Sequence, residues 1–339
     1  MVVADIFAGL TQSLRAMGLL EADESPSFTA LAGGVSSDIW RVDLRRGPVC
    51  LKRALAKLRV EKNWFAPVER NHNELAYLCE VARIVPSAVP AILGEDPERR
   101  LFVMEYLPPE TYKLWKTQLR DGQADPAFAG AVGHILGRIH AATARQPELA
   151  NRFANDDIFY SIRLEPYLEA TSRVHTDLAP ALSELINTTA STKLVLVHGD
   201  VSPKNILNGP RGPVFLDAEC AWYGDPAFDL AFCLNHLLLK GLWNPPAAAR
   251  FLDCFQSLCS AYSQHITWED ASTLESRTAH LLPALFLARV DGKSPVEYLT
   301  SETSRERVRQ FGRRLIQSPL ERLEHIRQQW AKELGIAHN

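Results

Sequence analysis

The chain's densest group of chemically active residues begins at His198, where the sequence reads His-Gly-Asp-Val-Ser-Pro-Lys-Asn-Ile-Leu. Within it, Asp200 and Asn205 are five residues apart, and Asp217 follows twelve residues after Asn205. Phosphoryl transfer requires an acceptor for a hydroxyl proton, oxygen ligands for magnesium and a rigid backbone that holds them in line. In loops that catalyse phosphoryl transfer, an Asp is followed five residues later by an Asn, as here. The spacing therefore predicts a phosphoryl-transfer loop.

Each polar residue of this segment has a predicted role. Asp200 is the candidate catalytic base, which accepts or orients the hydroxyl proton of the acceptor. Asn205 and Asp217 are the candidate magnesium ligands, because Mg²⁺ prefers a few hard oxygen ligands from the protein and completes its shell with phosphates and water. Glu219 points to the same side of an extended segment as Asp217. It completes the metal site, binds a second ion, or is a surface residue at the end of a strand.

Two further residues of the segment are predicted to support the loop. A buried His198 and the downstream Asp229 would brace it through hydrogen bonds, and losing either would leave buried groups unpaired at a cost of roughly 1–3 kcal/mol each. His140, on a long predicted helix, is interpreted as a hydrogen-bonded core histidine. His198 and Asp229 are therefore expected to hold the loop in place.

A lone cation lies in the hydrophobic stretch Val-Cys-Leu-Lys that ends at Lys52. It is either a lysine on the exposed face of a strand or the cation that neutralises the phosphates of a nucleotide and pairs with a helical Glu. Glu74 is the preferred partner, and Glu69 is the alternative because the start of the helix is uncertain by a few residues.

Two segments could contact the nucleotide through their backbone. Gly33 and Gly34 lie between two predicted strands and leave the backbone free to approach phosphates, with Ser36 as an added donor. Main-chain groups of Glu105 and Leu107, at the end of another predicted strand, could bind the base of the nucleotide. A plain turn is the alternative for Gly33 and Gly34, but their position about twenty residues before Lys52 favours a phosphate contact. A plain strand end explains Glu105 and Leu107 equally well.

Composition places the chain among ordinary globular proteins. It has 339 residues, 46% of them hydrophobic and 23% charged, with a net charge of −3. This charge gives no reason to expect a nucleic-acid partner. Six cysteines without a Cys-x-x-Cys pair favour free thiols in a reducing compartment. The first twenty residues have helical periodicity, which favours a surface helix over a signal peptide, and the apolar run 281–290 is too short to cross a bilayer. We expect a cytoplasmic protein without a membrane partner, of undetermined oligomeric state.

The pattern of elements predicts an α+β fold with two lobes. Residues 1–106 would form a small β-rich lobe that binds nucleotide, and residues 107–339 a larger α-rich lobe that carries the loop, the metal and the substrate site. The expected elements are strands at 28–32, 39–44, 49–53 and 101–106, helices covering 73–82 and 128–142, and a hairpin turn at 208–212.

These motifs resemble the aminoglycoside phosphotransferase and choline kinase superfamily, small-molecule relatives of protein kinases. The resemblance covers about residues 28 to 235, and its most specific parts are the loop 198–205 and the later Gly-Asp-Pro-Ala-Phe-Asp. It implies a bilobal protein-kinase-like fold, ATP as phosphoryl donor with GTP as an open alternative, and Mg²⁺. It also implies the roles already given to Asp200, Asn205 and Asp217. Asp-Ala-Glu at 217–219 is similar to the Asp-x-Glu of this superfamily, where protein kinases have Asp-Phe-Gly.

Some segments look similar to the methylthioribose kinase branch, notably 52–55, 104–107 and 217–224. In that branch, two adjacent arginines of a late helix contact the sugar, and here the matching segment contains Arg289 alone. Arg289 is therefore the candidate substrate contact, unless residues 291–295 merely join two helices. The loop also has Pro203 and Asn205, as in aminoglycoside-type enzymes.

The nature of the acceptor stays open at this stage. Between Arg305 and Arg327 there are seven Arg and three Glu. If this segment borders the site, it favours a neutral or anionic acceptor over a polycation; otherwise it is a solvated helix face. The preferred function is a magnesium-dependent kinase of small hydroxyl compounds. A non-catalytic nucleotide-binding regulator and a protein kinase are the rival hypotheses.

Overall fold

The computed structural model describes residues 2–31, 37–54 and 70–336 of the chain. The protein divides into two compact units, Met1–Thr111 and Tyr112–Asn339, called unit 1 and unit 2 below. None of the helices in these described ranges combines the length and apolar character needed to cross a bilayer.

The described part of unit 1 is an antiparallel sheet with two helices. The strand order is β1-β2-β3-β5-β4. The four predicted strands are confirmed, with ends that differ by up to two residues. The fifth strand, β4, was not predicted. It lies at the edge of the sheet, and its side chains do not form the buried apolar pattern by which a strand is recognised in a sequence. In chain order the elements are α1 (Val2–Ala16), β1 (Ser27–Ala30), β2 (Ser37–Leu44), β3 (Gly47–Ala54), α2 (Arg70–Ile84), β4 (Ile92–Asp96) and β5 (Leu101–Glu105).

The core of unit 1 forms between α1 and one face of the sheet. Trp40, Val42 and Leu44 alternate along β2 and are all buried, because successive side chains of a strand point to opposite faces. Leu10 and Leu14 of α1 belong to the same hydrophobic cluster. The N-terminal segment is thus a helix, as its periodicity predicts, and one of its faces is part of the core.

Unit 2 is mainly helical. Between α6 and α7 the chain continues as a π-helical stretch, Tyr160–Glu169. The helices are α3 (Trp115–Arg120), α4 (Pro126–Thr143), α5 (Pro147–Arg152), α6 (Asp156–Phe159), α7 (Ala170–Val174), α8 (Ala179–Ser191), α9 (Pro226–Trp243), α10 (Ala248–Ser263), α11 (Ala271–Asp291), α12 (Glu302–Gln317) and α13 (Leu323–Glu333). The strands are β6 (Lys113–Leu114), β7 (Val195–Val197), β8 (Ile206–Gly209), β9 (Gly212–Phe215) and β10 (Trp222–Gly224).

Helix α4 confirms the amphipathic helix predicted over 128–142, and it packs closely on α10. Its apolar stripe of Phe128, Val132, Leu136 and Ile139 is buried. A Cβ added to Gly133 would lie 2.2 Å from the carbonyl oxygen of Leu258. Only glycine permits this approach of the two helix backbones.

The short strands of unit 2 and the start of α9 hold the predicted loop. Strands β7 and β10 pair antiparallel, and β8 and β9 form the predicted hairpin across 209–212. Asp225 caps α9 by accepting a hydrogen bond from the amide of Ala227 at 3.0 Å, and Pro226 occupies the first helical position. The cap fixes the start of α9 and therefore the position of Asp229, which lies in its first turn.

Candidate active site

The loop predicted to be catalytic starts directly after β7 with a turn that only glycine can make. Gly199 has φ of 77°, in the left-handed region. A Cβ at this position would lie 2.6 Å from the carbonyl oxygen of Cys220. The residue between His198 and Asp200 must therefore lack a side chain, both for conformation and for space.

Asp229 holds this turn through its buried carboxylate. One carboxylate oxygen accepts the backbone N–H of His198 at 2.7 Å, and the other accepts that of Gly199 at 2.8 Å. His140 lies beside it, with Nε2 at 3.3 Å from the carboxylate and Nδ1 at 2.8 Å from the hydroxyl of Tyr262. Asp229 thus makes the hydrogen bonds that a supporting role requires. His140 makes those of a hydrogen-bonded core histidine.

His198 connects the loop to the segment after β9. Its Nδ1 accepts the backbone N–H of Asp200 at 3.2 Å, and its Nε2 lies 3.1 Å from the carbonyl oxygen of Leu216. Because a carbonyl can only accept, the proton must be on Nε2 and the ring is neutral. Burial lowers the pKa of His198, which agrees with this neutral form.

Asp200 is buried, and two cations reach the same oxygen of its carboxylate. Oδ2 lies 2.9 Å from Nη2 of Arg163 and 2.9 Å from Nζ of Lys204. Burial alone would raise the pKa of Asp200, but Lys204 and Arg163 outweigh it and hold the pKa below its ordinary value. Within the described residues, Oδ1 has no hydrogen-bond partner. The carboxylate is thus ionised, with one oxygen fixed and the other available to a ligand.

Arg163 is a further residue of the site that its sequence position does not reveal. Its Nε donates to the carbonyl oxygen of Gly199, and its Nη1 to that of Ile162. The guanidinium thereby fixes both the backbone and the side chain of the loop around Asp200. Arg163 lies 37 residues before Asp200 in the sequence, in the π-helical stretch, and no local pattern marks it. Lys204 could have been identified, since it lies four residues after Asp200 inside the loop.

Asn205 has an orientation that suits a cation. Its Nδ2 donates to the carbonyl oxygen of Asp200 at 3.1 Å, and its Oδ1 has no hydrogen-bond partner among the residues that the structure describes. Its own carbonyl accepts the backbone N–H of Leu216 at 2.9 Å. The amide oxygen is therefore positioned by the loop itself.

Asp217 and Glu219 lie close to the same group of charges. Asp217 has φ of 64°, which is uncommon outside glycine and is often found at functional sites. The carboxylates of Asp200 and Asp217 raise the pKa of Lys204, whose side chain is half exposed. The carboxylate of Glu219 also raises the pKa of Arg163, although other nearby groups raise it more. No three His, Cys, Asp or Glu side chains of the described ranges form a metal site by themselves.

In unit 1, Lys52 and Glu74 form a buried ion pair. Nζ of Lys52 lies 2.6 Å from Oε2 of Glu74, and the two residues are each 2% exposed. Lys52 is on β3 and Glu74 is on α2. The alternative partner Glu69 lies outside the described residues.

The other predicted nucleotide contacts of unit 1 are placed only in part. Gly33, Gly34 and Ser36 lie outside the described residues. Glu105 ends β5, and its backbone N–H donates to the carbonyl oxygen of Ala91 at 2.8 Å. This amide is used inside the sheet, so the predicted base contact of Glu105 would have to come from its carbonyl group. Leu107 follows the strand.

Arg289 is buried near the end of α11, in a group of side chains that includes Arg163. Its Nη1 donates to the hydroxyl of Tyr167 at 3.0 Å and to the carbonyl oxygen of Ser294 at 2.6 Å. The guanidinium lies over the ring of Tyr167 at 5.5 Å, and Arg163 lies over the same ring at 6.0 Å. Helix α11 ends at Asp291, and Gly292 follows as its C-cap, which agrees with the alternative interpretation that residues 291–295 join two helices.

The Arg-rich segment after residue 305 is engaged in ion pairs within unit 2. Arg309 contacts Asp291 at 2.9 Å, and Arg313 contacts Asp177 at 2.6 Å. Both pairs are at least partly exposed. They favour the interpretation of this helix as a solvated face over the interpretation as a substrate-binding surface.

Comparisons with known proteins identify the family. The model of the phosphotransferase enzyme family matches residues 27–255. A methylthioribose kinase of Bacillus velezensis is 24% identical over 271 residues, which are 70% of this chain and 68% of that protein. The chain thus matches about two thirds of the length of this relative.

Solved structures show the same fold at low sequence identity. An ethanolamine kinase of Plasmodium vivax has a TM-score of 0.57 and 13% identity, with 93% of this chain and 88% of that chain covered. A choline kinase of Cryptosporidium parvum Iowa II has a TM-score of 0.56 and 13% identity, with 91% and 96% covered. The predicted α+β protein-kinase-like fold is confirmed. The chain belongs to the phosphotransferase enzyme family and is a small-molecule kinase with a hydroxyl group as acceptor.

Proposed function

We propose that this member of the phosphotransferase enzyme family is a magnesium-dependent kinase that transfers the γ-phosphoryl group of ATP to a hydroxyl of a small metabolite. The observation that carries the proposal is the pairing of Asp200: Arg163 and Lys204 hold one of its two carboxylate oxygens, each at 2.9 Å. The other oxygen is left for the hydroxyl of an acceptor. GTP is the alternative donor.

In the proposed reaction, Asp200 aligns the acceptor hydroxyl and receives its proton. The hydroxyl oxygen forms a bond to the γ-phosphorus while the bond from that phosphorus to the β,γ-bridging oxygen breaks, and ADP leaves with the electron pair. A carboxylate with a low pKa is a weak base, so its main contribution is orientation, with proton transfer late in the step. Such a role suits the loose transition state of phosphoryl transfer, in which the attacking oxygen gains little positive charge early.

Cationic groups would offset the charge of the nucleotide. Lys52, fixed by Glu74, is proposed to contact the α- and β-phosphates, and Lys204 is close enough to Asp200 to meet the transferred group. Magnesium would be held by Asn205 and Asp217, with Glu219 as a further ligand, and would neutralise charge on the phosphates. The fixed orientation of the Asn205 amide, with its oxygen free, fits this assignment.

The remaining predicted contacts keep their proposed roles. Gly33, Gly34 and Ser36 would cover the phosphates, and the carbonyl of Glu105 and the backbone of Leu107 would bind the base. Arg289 is proposed to contact the acceptor, since Tyr167 lies beside both Arg289 and the Arg163 that holds Asp200. His198 and Asp229 would support the loop.

A second candidate acceptor is methylthioribose, which is favoured by the name of the relative from Bacillus velezensis. That protein is 24% identical. This level of identity supports the common chemistry more strongly than the common acceptor.

The test of the proposed function combines nucleotide binding with ADP release. Asp200→Ala should lose ADP release by a factor of about 10²–10⁴ while it binds ATP and magnesium as the wild type does. Asp217→Ala should lose the magnesium dependence of nucleotide binding in calorimetry. The exposed Asp253→Ala is a matched control and should change neither. Near-wild-type turnover by Asp200→Ala would refute the assignment of the base.

A further inference from the structure

Unit 2 buries a group of three basic side chains, and the proposed phosphoryl transfer has a role for only one of them, Arg289. His236 and Lys240 lie one turn apart on α9 and are 7% and 1% exposed, and Arg289 on α11 is 8% exposed. The ammonium group of Lys240 lies over the rings of Trp243 at 4.4 Å and Tyr298 at 4.7 Å. Within the part of the chain that is described, Lys240 has no ion-pair partner.

Aromatic rings connect these groups to the loop at Asp200. Phe232 lies one turn before His236, and their rings are 5.6 Å apart. The guanidinium of Arg163, which pairs with Asp200, lies over Phe232 at 5.7 Å. Burial lowers the pKa of His236 well below its ordinary value, and nearby cations, Lys240 and Lys204 among them, add to this effect. The buried group is therefore adjacent to the proposed catalytic residues.

Around Lys240 and Arg289, positively charged side chains outnumber the carboxylates that pair with them. Lys116 is paired with Glu297, and Lys204 is paired with Asp200. Among the residues described, no carboxylate pairs with Arg289 or Lys240. Burying an unpaired cation is costly, and burial lowers the pKa of Lys240 to about 7.

Two polar atoms of the group also lack partners. Nε of Arg289 and Nε2 of His236 are buried without a hydrogen bond in the described structure. A buried polar group without a partner is rare and destabilising, and it is often found where a ligand binds. An excess of cations with unsatisfied polar atoms favours an anion as the ligand.

We propose that the acceptor of the kinase is an anion, a small hydroxyl compound whose carboxylate or phosphate group is bound by Arg289, Lys240 and His236 while its hydroxyl reaches Asp200. The inference rests on the proposed function, since it names the chemical class of the acceptor in that reaction. A cationic acceptor would add to the positive charge already buried here, and a neutral sugar would leave it uncompensated.

Four probes that share a three-carbon diol test the charge preference. D-glycerate and glycerol 3-phosphate are anions, glycerol is neutral, and 3-amino-1,2-propanediol is a cation. Unfolding temperatures are measured for the full chain with Mg²⁺ and a non-hydrolysable ATP analogue at saturation. The two anions should raise the unfolding temperature, and the neutral and cationic diols should not. Equal shifts by all four probes, or no shift by either anion, would overturn the inference.

Two variants test which residues bind the anion. Lys240→Met and Arg289→Gln should weaken binding of both anions at least tenfold, which corresponds to the loss of one charge-assisted hydrogen bond. Lys332→Met, which removes an exposed cation of α13, is the matched control and should bind them as the wild type does. Without a probe, Lys240→Met should be no less stable than the wild type, because an apolar side chain of similar length replaces an unpaired buried cation. Variants that are less stable but bind the anions normally would show a purely structural role and overturn the assignment.

The outcome can be separated from that of the proposed function. If Asp200→Ala still releases ADP, the catalytic assignment fails while the anion-dependent shifts stand. If ADP release requires Asp200 but anions do not bind, only the present inference fails. Turnover of methylthioribose, a neutral sugar, above that of every anionic hydroxyl compound in an ADP-release screen would also overturn it.

Discussion

Replacing Asp229 by Asn tests how the candidate catalytic loop, residues 198–205, is held. The carboxylate accepts the backbone N–H groups of His198 and Gly199 at 2.7 and 2.8 Å, and the residue is fully buried. An Asn side chain has the same shape but only one oxygen. One of the two backbone N–H groups must therefore lose its acceptor and face the NH₂ group of the new amide.

The expected cost follows from the bonds that are lost. A hydrogen bond to a charged acceptor contributes about 1.5–3 kcal/mol, and opposing two donors adds to this, so Asp229→Asn should destabilise unit 2 by roughly 2–4 kcal/mol. For a unit of this size, that lowers the unfolding temperature by about 5–15 °C. Turnover should fall as well, because Asp200 follows the two amides directly.

Scanning calorimetry and ADP release measure the two effects. Asp253→Asn, which removes an exposed carboxylate of α10, is the matched control and should leave both unchanged. An Asp229→Asn variant that unfolds within about 2 °C of the wild type and keeps its turnover would refute the argument, since the loop would then not depend on these bonds.

Three further predictions follow from other contacts. Lys52→Met removes the ammonium group that lies 2.6 Å from the buried Glu74 carboxylate and should destabilise unit 1 by about 3–5 kcal/mol in urea unfolding, whereas Lys52→Met combined with Glu74→Leu should restore stability but not turnover. Gly133→Ala would place a Cβ 2.2 Å from Leu258, so it should lower the unfolding temperature, while Gly130→Ala, whose nearest atom is 3.7 Å away, should be tolerated. Burial lowers the pKa of Lys240 to about 7, and the unfolded chain protonates this lysine below about 10.4. The protonated Lys240 therefore destabilises the folded protein fully below about pH 7, and this destabilisation decreases as the pH rises. The free energy of unfolding of the wild type, relative to that of Lys240→Met, should increase from about pH 7 to about pH 10. A difference between the two proteins that does not depend on pH would contradict this.

The parts of the site that are close in sequence could be predicted from the sequence. The spacing of Asp200 and Asn205 is a property of one loop, and their relation to His198 needs only a few intervening residues. The hairpin after Asn205 follows from its turn residues. The pairing of Lys52 with Glu74 could be proposed because kinases pair a strand lysine with a glutamate of the next helix to bind nucleotide phosphates. The sequence alone could not exclude Glu69 as the partner.

The sequence by itself determined the family of this protein and predicted its candidate catalytic loop, because that loop is a continuous segment whose residue types and spacing are sufficient to recognise it. The tertiary structure decided the charge around that loop. Arg163 reaches Asp200 from a π-helical stretch 37 residues away, and His236 and Lys240 are hidden in a mostly apolar helical sequence. Which cations share a carboxylate, and which are buried without one, depends on the packing of distant helices, and no local pattern of residues encodes it.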